Sequence, residues 1–215
     1  MKALLFDMDG TLADTEDLHL QALGYVAGLH GVTLAPDLLE AISGRTSLEV
    51  MAELFPGMSA AQHLQLVKAK EQTFRSLTAG LTPMPGLVTL LSRARAGGLL
   101  IGLVTNAPLA NVTHLLGILK LGGYFDTIVT ADYLARPKPD PLPYLTALEA
   151  LGVAAADALA FEDSVPGIRS ATGAGITTVG VMTTLSMALL LEAGARDAIT
   201  DFTDFTGVTD YALSA

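Results

Sequence analysis

The chain has 215 residues, is 51% hydrophobic and only 16% charged, and carries a formal net charge of −10. That length suits one generous domain or a core with a modest insertion. The acidic balance excludes nucleic acid and anionic membrane surfaces as main partners, since both are held through lysine and arginine, and the absence of cysteine excludes disulfides, thiolate catalysis and cysteine-bound zinc.

Ala3-Leu4-Leu5-Phe6 reads as a short buried strand ending at Asp7. No apolar run approaches the length of a bilayer crossing, and the residues before Asp7 are too few for a signal-peptide core. A soluble, cytoplasmic protein is expected. Residues 17–30 place Leu20, Leu23, Val26 and Ala27 at helical spacing. Further helical patterns cover 37–42, 47–55 and 59–77, broken by Gly44 and by Pro56-Gly57, with no convincing strand between Thr15 and Thr82. This stretch reads as a small helical insertion.

From Pro85 the pattern alternates helix and strand: helix 86–96 closed by Gly97-Gly98, strand 99–104, helix 109–116, and strand Thr127–Thr130. Helix Leu142–Leu151, strand 158–161, helix 168–174, strand 178–182, helix 186–193 and a short apolar stretch at 198–199 complete it. Such alternation predicts an α/β fold with a doubly wound, Rossmann-like parallel sheet. Ligands of such sheets sit beyond the carboxyl ends of the strands. The expected organisation is a core of residues 1–14 and 84–215 with an α-helical cap of residues 15–83.

Four motifs follow or adjoin the apolar runs. Asp7 and Asp9 stand two apart at a strand end, so both side chains leave one face, and adjacent carboxylates repel unless a cation or shared proton intervenes. Gly10 makes an Asx-turn one reading; the other makes Asp7 a nucleophile toward phosphorus and Asp9 its general acid and base. Thr105-Asn106 precedes Pro108 and a helix, which fits an N-cap and equally an anion site. Lys138 lies among Pro137, Pro139 and Pro141 just before a helix, where the macrodipole opposes a cation; it is either a solvated lysine or a neutraliser of the nucleophile and phosphoryl oxygens. Glu162-Asp163-Ser164 ends an apolar strand, and its acids either cap the next helix or join Asp7 in a hard-cation site. Carboxylates without a neighbouring histidine suit Mg²⁺ rather than zinc.

In the helical insertion, Ser43-Gly44-Arg45-Thr46-Ser47 interrupts two helices. Arg45 is either a ligand for a carboxylate or second phosphate or a solvated loop residue. Thr15 and His19 fall four apart, on one helix face.

Asp7-Met8-Asp9-Gly10-Thr11, Thr105, Lys138 and Glu162-Asp163 resemble, in order and spacing, the four signature motifs of the haloacid dehalogenase superfamily, over nearly the whole chain. The helical insertion resembles the small α-helical cap of the subgroup that includes phosphoglycolate phosphatase, sugar-phosphate phosphatases and β-phosphoglucomutase. Asp9 follows the phosphatase and mutase pattern; the dehalogenases lack it. The resemblance implies that Asp7 forms an aspartyl-phosphate while Asp9 protonates the leaving oxygen and then deprotonates water. It implies Mg²⁺ held by Asp7, the Asp9 main-chain carbonyl and Asp163, with Glu162 nearby. Thr105 and the backbone around Met8, Asp9 and Asn106 would hold phosphoryl oxygens, and Lys138 would balance their charge. Gly44 and Arg45 resemble the substrate-specificity loop, and Thr15 and His19 resemble the pair that couples cap closure to acid–base chemistry in the mutase.

The chain departs from the mutase in carrying Ser47 where the mutase has a basic residue, and Arg75 is only a loose match for a second one late in its cap. Lys68 and Lys70 lie on a helix outside the specificity loop, which disfavours Schiff-base chemistry there. The expected activity is Mg²⁺-dependent hydrolysis of a small phosphorylated metabolite, of the phosphoglycolate or sugar-phosphate type, by a monomer or weak homo-oligomer. The alternatives are a sugar phosphomutase and a non-catalytic binding protein.

Overall fold

A computed structural model describes residues 1–34, 45–203 and 205. The helix expected at 37–42 and Gly44 lie outside the described residues. The chain divides into two compact units, Met1–Asp14 with Leu81–Ala215, and Thr15–Gly80.

The first unit is built on six parallel strands: β1 Ala3–Phe6, β2 Leu100–Thr105, β3 Thr127–Thr130, β4 Ala158–Glu162, β5 Thr177–Val181 and β6 Asp197–Ile199. Their order is β3-β2-β1-β4-β5-β6. Every residue of β1 and β4 is buried, as a parallel sheet covered on both faces requires. Because β1 pairs with β2 on one side and β4 on the other, the winding reverses there. A crevice therefore opens beyond the carboxyl ends of β1 and β4.

The helices of the second unit are α1 Glu16–Leu29, α2 Ser47–Leu54 and α3 Ala60–Leu77. Those of the first are α4 Leu87–Ala96, α5 Leu109–Ile118, α6 Leu142–Leu151, α7 Val165–Gly173 and α8 Met187–Ala193. None of the described helices is long and apolar enough to cross a membrane. Two strands run one residue past their expected ends, so Thr105 and Glu162 belong to β2 and β4. Helix α7 starts earlier than expected because Ser164 accepts a hydrogen bond from the Gly167 N–H and Pro166 falls in the first turn, where its missing N–H costs nothing.

Tyr144, Ala147 and Leu148 of α6 pack with Leu5, Val104 and Ala160 in one core cluster. Elsewhere Phe6 and Phe161 stack at 4.9 Å, with the Phe202 and Phe205 edges on Phe161. Each such side chain contributes about 1.5–3 kcal/mol by leaving water. The helical unit has its own core, in which Leu23, Val26 and Ala27 meet Val50, Met51, Phe55 and Leu66. Capping boxes at Thr46 with Glu49 and at Ser59 with Gln62 start α2 and α3.

Candidate active site

Strand register gathers the principal groups. Phe6 is aligned with both Leu103 and Phe161, so Asp7 emerges level with Val104 and Glu162. The Asp7 N–H continues the ladder by donating to the Phe161 carbonyl at 3.0 Å. Lys138 enters from the segment after β3. Its ammonium donates to Asp7 Oδ1 and Glu162 Oε1, both at 2.5 Å, and to the Val104 carbonyl at 2.7 Å. All three ammonium donors are thereby used. Lys138 is buried and bridges the ends of three neighbouring strands.

Two side chains fix this lysine, one at its backbone and one at its ammonium. Asn106 clamps its backbone, accepting from the Lys138 N–H at 3.0 Å and donating to its carbonyl at 3.2 Å. Tyr144 lies with its ring 5.3 Å from the ammonium and donates its hydroxyl to Glu162 Oε1 at 2.6 Å. Thr105 is buried beside them, its hydroxyl accepting the Ala107 N–H at 3.0 Å while keeping its own proton to donate. The Met8 side chain is buried and its carbonyl accepts the Leu12 N–H at 2.8 Å, closing the turn that carries half-buried Asp9.

Asp163 completes the cluster. Ligand oxygens of Asp7, Glu162 and Asp163 lie within 4.8 Å of one another. Gly10, at φ +74°, leaves room for the Asp163 carboxylate where a Cβ would overlap it. Thr184 donates to Asp163 Oδ2 at 3.0 Å, and Thr183 to the Gly10 carbonyl at 2.5 Å.

Three buried carboxylates against one lysine leave a surplus of negative charge. Burial lifts Asp7 to about 7, against the pull of Lys138 and with the push of Glu162. Burial likewise holds Asp163 well above the usual carboxylate range, reinforced by Asp7 and Glu162. Burial works against the Lys138 charge, but Asp7 and Glu162 outweigh it and raise its pKa. A divalent cation would relieve this surplus. The donors are oxygens only, which fits a hard cation such as Mg²⁺.

The remaining expected residues lie in the helical unit. Thr15 is the buried N-cap residue of α1. The His19 ring stacks on Phe74 at 3.8 Å, and its Nδ1 lies 2.7 Å from Lys70 Nζ. An ammonium can only donate, so Nδ1 is the acceptor and the ring proton sits on Nε2. Lys70 also donates to Glu71 at 3.0 Å, and Ser47 donates to the same Glu71 oxygen at 2.6 Å. Lys70 of α3 thus brings a basic group onto His19. Arg45 pairs with Glu53 on the exposed side of α2.

Tyr144, Thr183 and Thr184 escaped the sequence reading, which weighed Lys70 only for Schiff-base chemistry. Tyr144 and Lys70 sit at ordinary helical positions, which carry no chemical signal. Thr183-Thr184 had one: these residues follow β5, whose carboxyl end must lie at the same sheet edge as Asp7.

The family described as haloacid dehalogenase-like hydrolase matches residues 4–181. The phosphorylated carbohydrates phosphatase of Thermotoga maritima is 35% identical over 199 residues, covering 91% of this chain and 92% of that protein. The β-phosphoglucomutase of Bacillus subtilis is 34% identical over 191 residues, covering 84% and 83% respectively. Among solved structures, a variant of CbbY from Rhodobacter sphaeroides in complex with xylulose-(1,5)-bisphosphate superposes with a TM-score of 0.86 at 28% identity, covering 99% of this chain and 100% of that one.

Proposed function

The chain belongs to the haloacid dehalogenase-like hydrolases, and from that premise we propose that it is a Mg²⁺-dependent phosphatase of small phosphorylated carbohydrates, working through an aspartyl-phosphate on Asp7. The observation that carries this reading is the Lys138 ammonium held between Asp7 and Glu162 at the strand ends. A lysine so buried and so fully bonded is built to set charge at one point.

Asp7 attacks phosphorus in line, forming an Asp7 O–P bond as the bond to the leaving oxygen breaks. Asp9 gives its proton to that oxygen. Asp9 then takes a proton from water as the water oxygen attacks phosphorus, releasing inorganic phosphate and restoring Asp7. Lys138 balances charge on Asp7 and on the phosphoryl oxygens throughout, while Thr105 donates its hydroxyl to one of them. Most of the acceleration is positioning and electrostatics in a site prepared in advance. A cation held by Asp7, Asp163 and the Asp9 carbonyl would supply further neutralisation of the phosphoryl oxygens. Thr15–Gly80 serves in this reading as the cap that selects the leaving group, with Arg45 and the neighbouring Gly44 as its specificity loop.

The test is release of inorganic phosphate across a panel of sugar phosphates and phosphoglycolate with Mg²⁺. Turnover of one or more sugar phosphates is expected, and silence across the panel would refute the reading. A second reading, a sugar phosphomutase, is favoured by the Lys70–His19 contact, which supplies a basic residue late in the cap. Conversion of a sugar 1-phosphate to its 6-phosphate faster than phosphate release would establish it.

A further inference from the structure

The two acids ending β4 are adjacent in sequence but differently held. Glu162 is fully buried. Its Oε1 accepts from both Lys138 and Tyr144, and its Oε2 lies against Gly167, where a Cβ would overlap it, with the Ser164 hydroxyl at 3.4 Å. The chain itself thus occupies both oxygens of Glu162. Asp163 has one oxygen held by Thr184 and rests over Gly10, whose carbonyl Thr183 ties down.

We propose that Tyr144 and Thr184 are positioning residues that give the two acids separate duties: Tyr144 commits Glu162 to Lys138, and Thr184 orients Asp163 toward the cation. This rests on the phosphatase reading for the identity of the reaction, but not for the cation. Two charge-assisted hydrogen bonds on Oε1 fill its acceptor sites and fix the carboxylate plane. Without the Tyr144 hydroxyl, Glu162 turns toward Lys138 alone and draws the ammonium away from Asp7. The Tyr144 ring, 5.3 Å from the ammonium, also holds it as a cation–π partner. At Asp163 the hydroxyl of Thr184 holds Oδ2 and so fixes the plane of the carboxylate. Its loss frees the carboxylate to rotate without disturbing Lys138.

The test compares Tyr144→Phe, which keeps the ring, with Thr184→Val and Thr184→Ser, using Mn²⁺ binding to the metal-free full chain by electron paramagnetic resonance, and steady-state kinetics. Thr184→Val is expected to weaken Mn²⁺ binding about tenfold, with Thr184→Ser restoring it. Tyr144→Phe is expected to leave Mn²⁺ affinity within about twofold while lowering kcat about tenfold at little-changed KM. Equal weakening of Mn²⁺ by Tyr144→Phe and Thr184→Val would overturn the division of duties, as would unchanged Mn²⁺ binding in Thr184→Val. If the wild type hydrolyses no phosphomonoester, the phosphatase reading fails, yet the Mn²⁺ affinities still decide whether the two acids are separated.

Discussion

The two units of this chain each contain a buried lysine paired with a carboxylate, and they hold it by different means. Lys138 is caught between strand ends, where parallel register places Asp7, Val104 and Glu162 side by side. Lys70 lies on one helix with Glu71 next to it and meets His19 across the α1–α3 packing. The sheet cluster joins residues far apart in sequence and resists deformation, because each partner belongs to a different strand of one ladder. The helical cluster depends on packing between helices, which is adjusted more easily. In the proposed reading, the difference suits fixed chemistry in the first unit and adjustable recognition in the second.

The comparison can be broken most severely at Lys138. Lys138→Met is expected to cost at least about 10³-fold in kcat and about 3–5 kcal/mol of stability, because Asp7 and Glu162 remain buried without their cation. Phosphate release and urea unfolding measure the two effects. Near-wild-type values of both would show the strand-end cluster to be incidental. Asp7→Asn should abolish turnover comparably while leaving the fold intact by circular dichroism, and retained activity would remove Asp7 as nucleophile.

Lys70→Met sharpens the contrast at intermediate size. Under the mutase reading, in which His19 couples cap closure to acid–base chemistry, it is expected to lower kcat about tenfold, with a fall in melting temperature as Glu71 loses its cation. A melting-temperature loss with unchanged kcat would make the helical cluster purely structural.

A smaller effect follows from Asp7, whose pKa burial lifts to about 7. Between the ordinary carboxylate range and that value, the folded chain keeps a proton the unfolded chain has lost, so stability falls as pH rises through this window. A cation on Asp7 competes with the same proton. Mg²⁺ should therefore raise the melting temperature more at about pH 8 than at about pH 6. An equal rise at both would place the cation away from Asp7. Smallest of all, Arg45→Ala should change stability by less than about 0.5 kcal/mol, since its pair with Glu53 is exposed. A raised KM would then assign Arg45 to the substrate.

Much of the strand-end site was legible because it is written locally. Asp7, Thr105 and Glu162-Asp163 each terminate or follow an apolar run, and a run that ends in a carboxylate or hydroxyl announces the edge of a sheet. Lys138 was legible only as an anomaly, a cation before a helix start. Its three acceptors come from other strands, and no local pattern encodes them. Asn106 reads in sequence as a cap or phosphate ligand, yet its side chain clamps the Lys138 backbone. Tyr144 looks like one more core residue of α6, and Lys70 like one more solvated helix position.

The sequence by itself determined the element types, the parallel α/β class and the chemical kinds of group at the strand ends, because hydrophobic period and strand termini are properties of short segments. Tertiary structure alone decided which of those groups touch: the ammonium of Lys138 between Asp7 and Glu162, the hydroxyls of Tyr144 and Thr184 on consecutive acids, and Lys70 on His19. Those contacts depend on strand order, register and helix packing, which bring together residues separated by tens to more than a hundred positions.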